Sequence, residues 1–142
     1  MKKPIGISPV TLCPVFIVGT YDDQDRPNLM NVAWGGVCCS QPVCLNISLR
    51  KATYSYAALV RRGEFTVNIP SRGRVREADY VGIYSGRDEN KFEQLGLTPI
   101  PGEKVHAPTV GEFPLVIECR VLHTIEIVLH TQFIGEIVHV EC

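Results

Sequence analysis

Residues 26–51, RPNLMNVAWGGVCCSQPVCLNISLRK, carry the side chains of this chain that could hold a ligand. Gly35-Gly36 beside Trp34 would let backbone come close to something flat. Ser48, Arg50 and Lys51 would end a strand on a hydroxyl and two positive charges, a set suited to a phosphate or carboxylate. A planar ligand with an anionic tail matches both ends of the stretch. The plainer alternative is a core Trp beside a glycine bulge, followed by two solvated cations. Thr53 adds to the first reading because it stands where a helix over 53–63 (TYSYAALVRRG) would begin. A phosphate held by Arg50, Lys51 and Thr53 would then also meet the unsatisfied N–H groups of a helix N-terminus. Service of Thr53 as an ordinary N-cap is compatible with that role.

Other reactive residue types give less. The six cysteines, Cys13, Cys38, Cys39, Cys44, Cys119 and Cys142, contain no C-x-x-C pair, and adjacent Cys38 and Cys39 would point to opposite faces of a strand. Buried, structural thiols are the expectation. His106, His123, His130 and His139 lack the close spacing of zinc ligands, so no metal is expected.

The positioning elements are mostly strands. Residues 8–20 read as a strand entered through Pro9 and Pro14, and 21–27 as a polar turn. Residues 32–49 read as a hairpin in which Val32, Trp34 and Val37 are strand material, with Gly35-Gly36 and Ser40-Gln41-Pro42 as breaks. In the 53–63 helix Tyr56, Leu59 and Val60 share a face, and Gly63 stops it. Residues 64–70 alternate as a strand that Pro70 ends, 74–84 form a second helix, and 88–95 add a short helical turn. A long Pro/Gly-rich loop spans 96–114. Residues 113–121 read as a half-buried strand in which Ile117, Cys119 and Val121 alternate with Glu118 and Arg120, and 125–141 as a last strand. The expected fold is mainly β (α+β): an antiparallel barrel with two or three short helices.

A chain of 142 residues with 45% hydrophobic and 20% charged residues fits one globular domain with a core of its own. Fourteen basic and 15 acidic residues give a net charge of −1, no footprint for nucleic acid, although the 72–76 strip could meet one phosphate. No apolar run reaches the roughly 18 residues of a membrane span. Lys2-Lys3 is followed by Pro4, Gly6 and Pro9 rather than by a signal-peptide core, so a cytoplasmic location and no membrane partner are expected.

Six pieces in register, PNLMNVAWGG, SLRKATYSY, GEFTVNIP, DYVGIYSGRDENKF, IECR and HTQFIGEIV, resemble the flavin reductase-like, FMN-binding split-barrel family, and within it the flavoredoxin-type group. The resemblance covers nearly all of residues 1–142. It implies a homodimer of Greek-key split β-barrels binding FMN non-covalently near the dimer interface. It also implies that Asn28, Asn31, Ala33, Trp34 and Gly35 line the flavin. Ser48, Arg50 and Thr53 would meet the ribityl phosphate and Lys91 and His130 approach the ring or its polar edge, with Leu49, Lys51 and Ser85 also counted among the cofactor-binding residues. Catalytic residues are not assigned.

The implied activity is that of an oxidoreductase passing reducing equivalents from a nicotinamide donor through FMN. The alternatives are a flavoredoxin-like electron carrier serving a redox partner protein, and a non-enzymatic binding barrel. The sequence has no G-x-G-x-x-G fingerprint, so a nicotinamide nucleotide would dock directly on the flavin. Two departures stand out. Val128-Leu129 precede His130 where the family often has a small, turn-forming residue, and the chain ends at Cys142 where members usually continue into a further flavin-covering segment. A short or truncated member is the expectation.

Overall fold

The computed structural model describes residues 1–7 and 12–142; the strand entry expected through Pro9 lies partly outside the described residues. β1 (Phe16–Tyr21) and β2 (Pro27–Val32) form the first hairpin, with Phe16 opposite Val32 and Tyr21 opposite Pro27. Its polar tip is closed by the Asp22 carboxylate, which accepts from the N–H groups of Gln24 and Arg26 at 2.8 and 3.0 Å. β3 (Gly35–Ser40) and β4 (Val43–Arg50) form the second hairpin around the cis Gln41-Pro42 bond.

α1 (Tyr54–Arg62) ends at Gly63, whose φ of 64° is the left-handed cap that glycine adopts without strain. β5 (Glu64–Ile69) follows, then a 3-10 turn at 72–74, α2 (Val75–Ile83) and α3 (Lys91–Leu95). Short β6 (Pro99–Pro101) and β7 (Pro108–Val110) pair with each other, and long β8 (Leu115–Ile127) and β9 (His130–Glu141) close the chain.

The seven-stranded sheet runs β2-β1-β5-β8-β9-β4-β3, antiparallel throughout. Its two outer strands, β2 and β3, are joined in sequence by only Ala33 and Trp34. A flat sheet of that order could not be bridged by two residues, so the sheet curls until its edges approach: a Greek-key barrel split between β2 and β3. The interior holds Val18, Val32, Leu45, Ile47, Leu49, Phe65, Val67, Cys119 and Phe133, with Leu59 of α1 packed against them. A second core lies outside the barrel wall. There Ile17 and Leu29, one position out of phase with the inward-facing Val18, meet Ala78, Val81, Phe92, Leu97, Val110 and Phe113. β1 is thus buried on both faces, which is why its sequence is a continuous apolar run.

Several expectations are corrected. Trp34 is in the corner between β2 and β3, not in a strand, because β2 must stop there for the barrel to turn. Of the face expected for α1, Leu59 is buried and Tyr56 packs against the core, but Val60 is 57% exposed, and Ser55 and Ala58 are buried in addition. The 96–114 loop contains the β6–β7 hairpin. β8 continues to Ile127, so the last strand begins at His130 after a turn in which Val128 has φ 42°. Cys13, Cys38, Cys39 and Cys142 are exposed; only Cys44 and Cys119 are buried.

Candidate functional site

A groove of about 230 Å³ opens where β2, the start of α1 and the end of α2 converge. β2 contributes Asn28, Met30 and Asn31, the entry to α1 contributes 52–55, and the segment leaving α2 contributes 81–87, with Lys91 from α3 beneath. Two cations and no carboxylate line it among the described residues.

Lys91 is 3% exposed, and its Nζ donates to the carbonyls of Leu29 at 2.7 Å and Val81 at 2.8 Å. An ammonium has three N–H donors, so these bonds account for two. Burial, only partly opposed by the Glu89 charge, pulls this lysine down from its ordinary value to about 8. It is held at the groove because Asn90 caps α3, its side chain accepting from the N–H groups of Phe92 and Glu93.

Asn28, also buried, donates through Nδ2 to Ser55 Oγ at 3.0 Å, tying β2 to α1. Gly86 runs so close to that pair that a Cβ there would lie 2.3 Å from Asn28 Oδ1 and 2.7 Å from the Tyr54 ring. Glycine is required at that point. Arg87 then reaches across, donating to the Ala52 carbonyl at 3.0 Å with its guanidinium 5.9 Å from the Tyr54 ring centre. Tyr84, half exposed on the lip, stacks on Tyr80 at 4.3 Å and presents a flat aromatic surface.

Thr53 occupies the N-cap position of α1, but its side chain does not cap the helix; Oγ1 donates to the Arg50 carbonyl at 2.9 Å. That corrects the capping expectation. The first turn of α1 contains no acidic residue, so the positive end of the helix is left to whatever lies in the groove.

Of the residues predicted for a site, Asn28, Asn31, Thr53, Ser85 and Lys91 share this groove. Ala33, Trp34 and Gly35 continue from Asn31 out of the groove, and Lys51, Arg50, Leu49 and Ser48 continue from Thr53 in the reverse chain direction. The two runs meet where Ser48 N–H donates to the Trp34 carbonyl at 2.8 Å. His130 pairs with Arg50 in the β4–β9 register. Leu49 is in the barrel core, leaving only its backbone to face a ligand. Lys51 is engaged by Glu126 at 2.7 Å.

The space above Gly35 is already filled, since a Cβ there would meet the Asn46 carbonyl at 2.7 Å and the Phe16 ring at 3.1 Å. Close approach of a flat ligand is therefore not why that glycine is needed; packing at the barrel corner is. Tyr54, Ser55, Tyr84 and Arg87 were missed. Arg87 had a readable signal, a cation in a Ser-Gly turn that follows a helix.

A larger, apolar trench of about 590 Å³ lies beyond Asn31, lined by Pro14, Phe16, Ile69, Pro70 and Val75 among others. Asn31 is its one residue in common with the predicted set.

The flavin reductase-like domain family matches residues 12–142. A flavoredoxin of Desulfovibrio vulgaris (Miyazaki F) is similar at 58% identity and a TM-score of 0.95, over 99% of this chain and 76% of that one. An FMN-binding protein from Thermus thermophilus shares the fold, with a TM-score of 0.83 at 19% identity, over 99% of this chain and 78% of that one. Among curated proteins, an uncharacterized protein of Archaeoglobus fulgidus is 34% identical over 82% of this chain, which spans 66% of its length. With the six sequence pieces laid out along one split barrel and the family matched over almost its full length, the chain belongs to the flavin reductase-like family.

Proposed function

We propose that the groove binds FMN and that the protein passes reducing equivalents from a nicotinamide donor through the flavin to an acceptor. The observation that carries this reading is the charge pattern of the groove: a buried ammonium at its floor, an uncompensated helix N-terminus and Arg87 at its mouth, and no carboxylate among the described lining residues. Such a donor set fits a ligand with an anionic tail and a ring that gains negative charge on reduction.

In this reading Arg50, Thr53, Arg87 and the first N–H groups of α1 hold the phosphate. Trp34 and Tyr84 supply flat walls, and Asn28 and Lys91 serve the polar edge of the ring. Among the described residues Lys91 is the one buried cation lining the groove, so it provides positive charge where water does not screen it. Asn28, fixed by Ser55, cannot swing away when the ligand changes charge. Bound FMN would supply the redox chemistry itself, accepting a hydride equivalent and passing electrons on. The protein contributes position, charge and exclusion of water.

A homodimer accords with the exposed apolar surface. Trp34 and Val37 are 45% and 74% exposed, and the β8–β9 hairpin presents Leu122, Ile125, Ile127 and Leu129 to solvent. A shelf of that kind is typical of an interface. No helix among the described residues is long and apolar enough to cross a membrane.

The second reading, an electron carrier for a redox partner protein, is favoured by the 58% identity to a flavoredoxin. An anaerobic visible spectrum separates the readings. Oxidised-flavin bands after FMN loading that bleach on addition of NADH or NADPH support the oxidoreductase. Bands that bleach only with a protein or chemical reductant support the carrier, and failure to retain FMN removes both.

A further inference from the structure

The β3–β4 hairpin sets two cysteines against each other. From Gly35 opposite Ile47 to Val37 opposite Leu45 the register would bring Cys38 opposite Cys44, but a shift between Val37 and Cys39 moves Cys38 out and places Cys39 directly opposite Cys44. Directly opposed residues of an antiparallel pair share a face and have Cα atoms about 4.5–5.5 Å apart, inside the roughly 4.4–6.8 Å that a disulfide spans. The register thus sets the exposed Cys39 thiol and the buried Cys44 thiol on neighbouring strands at one rung of the hairpin.

Their surroundings differ. Cys39 is exposed on an edge strand, open to an oxidant from solution, whereas Cys44 is 2% exposed. Burial first, and then the neighbouring Cys39, Cys38 and Glu136, push the Cys44 thiol up, so it stays protonated at neutral pH. Cys119, the other buried thiol, belongs to the barrel core, and burial pushes it up to about 12. Among the described residues, three potential metal ligands gather closely only at Glu103, His139 and Glu141, away from these thiols.

We propose that Cys39 and Cys44 are an oxidation site that closes to a reversible cross-strand disulfide. With a hydroperoxide as oxidant, the Cys39 thiolate attacks the terminal oxygen, the O–O bond breaks, and the leaving oxygen takes up a proton. Cys44 sulfur then attacks the sulfenic sulfur of Cys39, the S–O bond breaks, and water departs with the thiol proton. Two thiols lose two electrons and the peroxide oxygens gain them. A dithiol reverses the bond by exchange. The bridge encloses only the turn residues 40–43, so it removes little chain entropy and is readily reopened.

The test is stoichiometric hydrogen peroxide, alkylation of remaining thiols under denaturing conditions, and peptide mapping by mass spectrometry. Wild type should fall from six alkylatable thiols to four, with Cys39 linked to Cys44 and full recovery in dithiothreitol. Cys38→Ser should still form the link; Cys39→Ser and Cys44→Ser should not. Cys39→Ser alters an exposed position and serves even if Cys44→Ser fails to fold. A link between Cys38 and Cys39, links only between molecules, or six thiols still alkylated in wild type would overturn the proposal.

Discussion

Two buried ionic groups, Lys91 and Glu118, are neutralised in the same way and serve different ends. Glu118 is 2% exposed, and its carboxylate accepts backbone N–H groups from Glu103 at 2.8 Å, Lys104 at 2.6 Å and Val105 at 3.0 Å. Those bonds pin the 102–105 bend against the barrel wall. The Glu118 oxygens are taken up by the backbone of that neighbouring bend. Lys91 is likewise held by backbone groups, yet it lines a groove and retains a donor beyond its two carbonyls. The difference teaches that burial of charge alone does not mark a site. The address does: one charge is spent on its own loop, the other faces a space that a ligand can fill.

Glu118→Ala should give the largest effect. Loss of three charged hydrogen bonds to buried backbone is expected to lower unfolding stability by about 3–5 kcal/mol, read from urea denaturation of the FMN-free protein. FMN affinity of the folded fraction should stay within twofold of wild type, or about 0.4 kcal/mol. A large affinity loss would mean that the two charges are not separable.

Next is the phosphate end. Arg50→Ala and Arg87→Ala should each weaken FMN by about 1.5–3 kcal/mol while changing riboflavin little, because only FMN carries the phosphate. Equal losses for the two ligands in parallel titrations would remove both arginines from that role.

A smaller effect follows from the titration of Lys91. Its folded-state value of about 8 lies below its ordinary 10.5, so between those values the unfolded chain binds the proton and the native chain does not. Stability of the FMN-free protein should therefore rise with pH across that window from this group, while FMN affinity falls as pH passes upward through about 8. Lys91→Met should flatten both profiles.

The smallest effect is expected at the thiol pair. Cys39 is four residues along β3 from Gly35, on the order of 13 Å, so Cys39→Ser should leave FMN affinity unchanged.

Much of this layout was legible in the sequence, for local reasons. Strand β5 shows through because Phe65, Val67 and Ile69 alternate before Pro70, and α1 because Gly63 supplies its left-handed end. The groove was legible in part: Asn28, Asn31, Thr53, Ser85 and Lys91 do converge, though each alone is an ordinary polar residue. What failed was non-local. Period-two alternation puts Glu118 on the face opposite Cys119 but cannot say that residues 102–105 cover that face. The corner at Ala33-Trp34 lies between runs of similar composition, and only closure of the barrel decides where one strand stops. Tyr54 and Arg87 gain their roles from an approach between segments about thirty residues apart in the chain, at the one point where Gly86 leaves room.

The most direct test of the account is a titration of FMN into wild type and Lys91→Met at neutral pH, followed by quenching of flavin fluorescence. The expected result is an affinity loss of about ten- to a hundredfold, corresponding to one charged hydrogen bond, with the variant unfolding in urea as a cooperative folded protein. Equal affinity in a folded Lys91→Met protein would contradict it.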